Sequence, residues 1–200
     1  FLDRRKPGQS RFTTARREGD QAVILSGIFE GKTTGTPISI LVENTDQRSH
    51  DYSAIKDIYR PGHADYTFDQ KYGFRDYRGG GRSSGRETTG RVAAGAVAVK
   101  FLEELGVHVD AYTRSIGPIE IDAGRFDLSR RDENRLYMPD PEAAKEAEAF
   151  LESRMAEKDS TGGVVECVIR GLPAGIGEPV FEKLDACLAK AVMSIGAVKG

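Results

Sequence analysis

The stretch best suited to hold an anion is Gly79-Gly80-Gly81-Arg82-Ser83-Ser84-Gly85-Arg86-Glu87. Three glycines let backbone N–H groups come close to a ligand. Two arginines and two serines follow, and a helix starting at Ser84 adds free N–H donors and partial positive charge. That chemistry suits phosphate or carboxylate, and a flexible loop with an ordinary helix cap is the alternative. Arg60-Pro61-Gly62-His63-Ala64-Asp65 sets a histidine in an irregular aromatic tract, where it is either structural or a general acid. His108 alternates in a strand and reads as structural or exposed, and His50 as surface. Arg4, Arg5 and Arg11 are interrupted by Pro7, Gly8 and Ser10. They form either a solvated basic face or a shaped loop whose guanidinium forks capture carboxylate or phosphate. Gly27-x-x-x-Gly31-Lys32-Thr33 is one residue short of a phosphate-binding P-loop and joins strand to strand, so it reads as a hairpin turn.

The elements that must position these residues follow from pattern. Residues 1–20 read as a loop with six positive charges and a net of +3. Residues 22–29 and 37–43 are apolar strands of a hairpin, expected to be covered on at least one face by helices. Residues 45–82 show neither helical nor strand period and hold seven of the sixteen aromatics, which marks a long loop of the kind that carries function. Ser84-x-x-Glu87 fits a capping box for a helix to about Leu105, and its Gly90, Ala93, Ala94, Gly95, Ala96 and Ala98 suit close packing at the centre of the fold. Residues 107–116 and 164–170 read as strands. Asp140-Pro141 opens a second helix and residues 180–194 make a third. The string is that of an α+β fold, helices on antiparallel sheet.

Composition narrows the function classes. The 200 residues carry a net charge of -2, which excludes a polybasic protein held to nucleic acid by bulk charge. Residues 45–91 hold nine positive and seven acidic residues, a net of only +2. The Arg–Tyr–Gly tract still leaves a second reading, a non-catalytic module that binds single-stranded nucleic acid. Salt-sensitive oligonucleotide binding would mark it. Arginine outnumbers lysine 19 to 10, with 12 of the 19 in the first 91 residues, and glycine is abundant at 23. A hydrophobic content of 38% excludes global disorder. No apolar run is long enough for a membrane helix, so no membrane partner is expected. Cys167 and Cys187 read as two buried thiols, with no zinc or other metal spacing.

Taken together, several ordered motifs resemble the chorismate synthase family. They are Asp3-Arg4-Arg5-Lys6-Pro7-Gly8, Ser26-Gly27 through Thr33-Thr34-Gly35-Thr36-Pro37-Ile38, Asn44-Thr45-Asp46, Arg60 to Asp65, Lys71-Tyr72-Gly73 with Asp76-Tyr77-Arg78, Gly79 to Thr88, Gly175-x-Gly177-Glu178-Pro179-Val180-Phe181 and Ser194 to Gly200. The resemblance runs in order over essentially the whole chain. It implies a shikimate-pathway lyase of aromatic amino acid biosynthesis that converts 5-enolpyruvylshikimate 3-phosphate to chorismate and phosphate by 1,4-elimination. It implies a flavoprotein of the FMN and FAD class that works with reduced FMN, which some members reduce with NADPH. The implied fold is a β-α-β sandwich with helices packed between antiparallel sheets, assembled as a homotetramer. The implied location is cytoplasmic, with a plastid left open because residues ahead of Phe1 are not read.

By motif position the resemblance makes His63 the acid beside the flavin. Arg82, Ser83, Ser84, Gly196 and Ala197 match its flavin contacts. Arg5 and Arg11 match positions for NADP or substrate, and Arg60 and Arg86 match substrate-anion arginines. The family's upstream Gly-Glu-Ser-His-Gly motif and its C-terminal part are absent, so residues 1–200 are expected to be a single-domain internal fragment, inactive alone. Position 85 is Gly where many relatives have Ala.

Overall fold

The computed structural model describes residues 1–14, 16, 18–45, 53, 55–78 and 84–200. The chain forms two compact units, one of residues 1–9, 13–98 and 173–200, the other of residues 10–12 and 99–172. Helices and small antiparallel sheets make the fold α+β.

In the first unit the hairpin forms as two ladders in succession. Strands β1 (Ala22–Ser26) and β4 (Ser39–Val42) pair with Val23 opposite Leu41 and Ile24 opposite Ile40. Strands β2 (Ile28–Phe29) and β3 (Lys32–Thr33) pair at the tip. Glu30 and Gly31 turn that tip with φ of 47° and 75°, the paired left-handed geometry of a two-residue hairpin. The glycine-lysine motif is therefore a hairpin turn. Gly27 separates the ladders at φ 84°, and a Cβ there would lie 2.7 Å from Ile38 Cγ1 and 2.8 Å from Pro37 O. Gly27→Ala is expected to cost about 1–3 kcal/mol through this clash and the left-handed backbone, read as a lower Tm. The expected helical cover over the strands is not seen among the described residues, where Val23, Ile24, Leu25 and Phe29 are all exposed.

The first unit also corrects two loop assignments. Leu2–Arg5 makes one helical turn, α1. Within the aromatic tract Asp65–Tyr72 forms helix α2, closed by Gly73 at φ 77°. Eight residues with Tyr66, Phe68 and Tyr72 as their aromatics show no apolar stripe, so periodicity could not mark it. The ends hold the helix instead: Thr67 Oγ1 donates to Ala64 O at 3.0 Å, and Gly73 N donates to Asp69 O at 2.9 Å. Phe68 and Tyr72, one turn apart, meet edge to face. Helix α3 (Thr88–Glu104) follows a 3₁₀ turn over Gly85–Glu87, and α5 (Leu184–Met193) lies near the end of the chain. Only Thr89 and Ala93 of α3 are buried, and a Cβ at Gly90 or Gly95 would meet nothing within 4 Å. Of the small residues of α3, Ala93 is therefore buried while Gly90 and Gly95 face open space among the described residues.

The second unit holds strands β5 (His108–Ile116), β6 (Ile119–Glu120) and β7 (Gly163–Arg170), all antiparallel in the order β6-β5-β7. Helix α4 (Pro141–Ala156) packs Ala143, Ala144 and Ala147 on Leu136 and Met138, with Phe12, Ile116, Ile119, Ile121 and Leu151 around them. Its start is as the sequence indicates, with Asp140 Oδ1 accepting from the Glu142 and Ala143 amides and Pro141 in the first turn. Asp140 is fully buried. It also accepts from Asp122 N at 3.0 Å and pairs with Arg125 Nη2 at 2.8 Å.

The pairing of Val109 with Ile169, Ala111 with Cys167 and Thr113 with Val165 gives β5 and β7 one apolar face. Val165 on that face is exposed. The other face carries Tyr112, whose hydroxyl donates to Glu166 at 2.8 Å and whose ring meets Phe126. Cys167 is consequently exposed and Cys187 half-buried, so neither thiol is buried as expected. No helix among the described residues is long and apolar enough to cross a membrane.

Candidate functional site

The basic segment at the start of the chain and the start of α3 meet within the first unit. Arg5 Nη1 pairs with Asp20 Oδ2 at 3.0 Å, and its Nη2 donates to Gly85 O at 3.2 Å and Thr88 Oγ1 at 3.1 Å. Arg86 Nη2 lies 2.9 Å from Asp20 Oδ1 and donates to Glu43 O at 2.9 Å, while its Nη1 pairs with Glu18. Asp20 and Glu18 are buried, so two carboxylates removed from water fix two guanidiniums. Asp20 does so from a left-handed backbone, φ 45°, which aspartate tolerates better than most residues.

Ser84 caps the 3₁₀ turn, its Oγ accepting from Arg86 N at 3.3 Å. The reciprocal half of the expected capping box does not form, because Glu87 turns to Arg91, with Nε 3.0 and 2.9 Å from the two carboxylate oxygens. A cleft of about 430 Å3 opens here, lined among others by Arg5, Thr14, Arg16, Ser84, Gly85 and Arg86. Among the described lining residues are three guanidiniums (Arg5, Arg16 and Arg86), the carboxylate of Glu18 and the hydroxyls of Ser84 and Thr14. Residues of these types are chemically suited to a small anion.

His63 sits in a separate loop of the same unit, exposed, with Nδ1 3.0 Å from Pro61 O. Arg60 is spent on its own loop: Nε and Nη2 make a bidentate pair with Asp65 at 2.8 and 2.9 Å, and Arg60 N donates to the same carboxylate at 3.1 Å. Those bonds from the Arg60 side chain, working against burial, hold the Asp65 carboxyl well below the usual range. On the far side Arg75 donates to Asp69, Lys56 O and Ile58 O, bracing residues 56–58 against α2. His63 is thus carried on a loop clamped by two arginines.

Gly196 and Ala197 lie in a turn just after α5, with Ala197 at φ 70°. Arg91 reaches this turn across 103 residues, Nη1 donating to Ser194 Oγ at 2.7 Å and Nη2 to Ser194 O at 3.2 Å. The structure therefore brings together Arg5, Arg86 and Ser84. Arg11 belongs to the second unit, where it pairs with Glu152 and stacks over Phe12. Arg82, Ser83 and His50 lie outside the described residues. Sequence reading missed Glu18, Asp20, Thr88 and Arg91. Two acids spaced by one residue close the basic segment, but that spacing does not name Arg86 as their partner.

A family model described as chorismate synthase matches residues 1–200. The chain belongs to the chorismate synthase family. It is 67% identical over 199 residues to the chorismate synthase of Lachnospira eligens, covering 100% of this chain and 54% of that protein. It is 64% identical over 200 residues to the chorismate synthase of Agathobacter rectalis, again covering 100% of this chain and 54% of the relative. A crystal structure titled as chorismate synthase superposes with a TM-score of 0.71 at 31% identity, over 90% of this chain and 53% of that one. The chain thus spans about half the length of the curated relatives it matches. Family membership agrees with the fold class and the motif set read from the sequence.

Proposed function

We propose that the whole protein is a chorismate synthase, a carbon–oxygen lyase that eliminates phosphate from 5-enolpyruvylshikimate 3-phosphate to give chorismate. The observation that carries this reading is the Arg5–Asp20–Arg86 assembly at the start of α3, in a chain of this family. The substrate has two carboxylates and a phosphate. Guanidiniums already fixed by Asp20 and Glu18 meet such an anion without first being ordered, which favours its binding and orientation. The nucleic-acid reading has no such support.

A flavin site built in part from the described residues belongs to this proposal. A Cβ at Gly196 would meet nothing within 4 Å, so the backbone there is open to a flat ring or a phosphate. Gly196, Ala197 and Ser84 would hold reduced FMN, with NADPH as a reductant, and Arg5 and Arg11 serve NADP or substrate. When bound, reduced flavin supplies electron density as phosphate leaves. His63 handles the proton. Pro61 O can only accept, so His63 Nδ1 carries the hydrogen of that contact and Nε2 is left to hold or release a proton. Arg60, locked on Asp65, shapes this loop and is proposed as a substrate-anion arginine within it.

The protein is proposed to act in the cytoplasm as a homotetramer, and residues 1–200 alone to be inactive. The test is phosphate release from 5-enolpyruvylshikimate 3-phosphate by the whole protein under anaerobic conditions. Release is expected only with reduced FMN, and undiminished release without any flavin would contradict the reading. His63→Gln is expected to lower kcat by about a hundredfold or more with little change in KM. An unchanged kcat would remove His63 from the proton transfer.

A further inference from the structure

The Arg91 guanidinium makes contacts beyond those of a surface ion pair one turn along a helix. Glu87 engages Nε through both oxygens, at 3.0 and 2.9 Å, which fixes the plane of the guanidinium. Its two terminal nitrogens then point at a single residue, Ser194. Ser194 is the first residue past α5, and its own N–H closes the helix on Lys190 O and Ala191 O. Ser194 Oγ donates to Ala191 O at 2.6 Å, so it receives Arg91 as an acceptor. Ser194 O, at the negative end of α5, takes the second guanidinium nitrogen. Just beyond, Val198 N donates to Ile195 O at 3.2 Å and Ala197 is left-handed. A non-glycine residue keeps that backbone only where its surroundings hold it.

We infer that Arg91 is a positioning residue for the flavin site, tying the 194–197 turn to α3, the helix that follows the 3₁₀ turn carrying Arg86 and capped by Ser84. The inference rests on the reading of Gly196, Ala197 and Ser84 as flavin contacts. These segments lie far apart in sequence, and Arg91 is the side chain that the structure shows bridging α3 and Ser194. An i,i+4 ion pair alone contributes little to stability and would leave distant amides unaffected.

The test uses the whole protein and two readouts. One is hydrogen exchange at the Ile195–Val198 amides without flavin. The other is the Kd for FMN itself, by anaerobic titration of the reduced form. Arg91→Ala is expected to speed exchange at these amides and to raise the Kd about tenfold or more. Arg91→Lys, which keeps the charge and loses the fork, should fall between. Ser194→Ala removes only the 2.7 Å bond and should move both readouts the same way by less, so it decides the matter if Arg91→Ala fails to fold. Unchanged exchange and Kd would overturn the inference. So would faster exchange with an unchanged Kd, which would leave Arg91 bracing a turn that flavin does not use. If the unaltered protein binds no FMN, the flavin reading itself fails and the inference falls with it, while the exchange data still show whether Arg91 holds the turn.

Discussion

Arg86→Ala is expected to lower the stability of the whole protein by about 3 kcal/mol or more and to reduce turnover to background. The side chain is paired with two carboxylates that are almost wholly removed from water, Glu18 and Asp20. Deleting the cation removes the Arg86 ion pair from Glu18 and leaves Asp20 paired with Arg5 among the described residues. Glu43 O loses its donor as well. Arg86→Lys keeps one charge but a single ammonium has no fork to serve both acids and the carbonyl, so stability should fall between the two. Activity is expected to suffer separately, because the same guanidinium lines the cleft proposed to take the substrate anion. Denaturant unfolding measures the first effect and kcat/KM for 5-enolpyruvylshikimate 3-phosphate the second. Wild-type stability in Arg86→Ala would show that Glu18 and Asp20 are not held by this pair.

Asp140→Ala is the second large effect, and it falls on the other unit. Burial alone would raise the Asp140 pKa, but the bonds from Arg125 and from the Asp122, Ala143 and Glu142 amides outweigh it and bring the carboxyl from 3.8 down to about 2. The folded pKa is the lower one. The carboxylate therefore contributes stability above its ordinary pKa, and that contribution is lost as pH falls from about 4 toward 2. Linkage puts it at about 2 kcal/mol at neutral pH. Alanine also removes the cap of α4 and leaves Asp122 N without its acceptor beside the Met138 core, for a total of about 3 kcal/mol. Asp140→Asn keeps a capping oxygen and should cost less. Denaturant curves at pH 7 and pH 3 check this, with the gap between wild type and Asp140→Ala expected to narrow at the lower pH. A gap that widens on acidification would contradict the sign.

What the sequence disclosed depended on how local the physics was. Asp140-Pro141 announced α4 because a cap acts within three residues, and the structure places both residues in their capping roles. The hairpin was legible from its two apolar runs and the glycines between them. Helix α2 was hidden because Arg60, Thr67 and Gly73 hold its ends, and no apolar stripe repeats along it. The expected burial of α3, of the β1–β4 face and of Cys167 was inferred from apolar and small residues, which specify that a surface suits packing and do not supply the partner.

The site divides in the same way. Arg5, Arg86 and Ser84 were recognisable by residue type and motif, and the structure brings them together. Glu18 and Asp20 were missed because their role arises from a meeting with Arg86, more than 60 positions away, which no local spacing encodes. Arg91 was missed for the same reason, its partner Ser194 lying 103 residues on.

The most direct measurement of the central claim is the product balance of a single turnover. The whole protein, reduced FMN and 5-enolpyruvylshikimate 3-phosphate are mixed anaerobically, and chorismate, phosphate and oxidised flavin are quantified together. An elimination guided by fixed arginines and assisted by flavin predicts chorismate and phosphate in equal amounts, with the flavin still reduced at the end. Phosphate without chorismate, or flavin oxidised mole for mole with product, would contradict it.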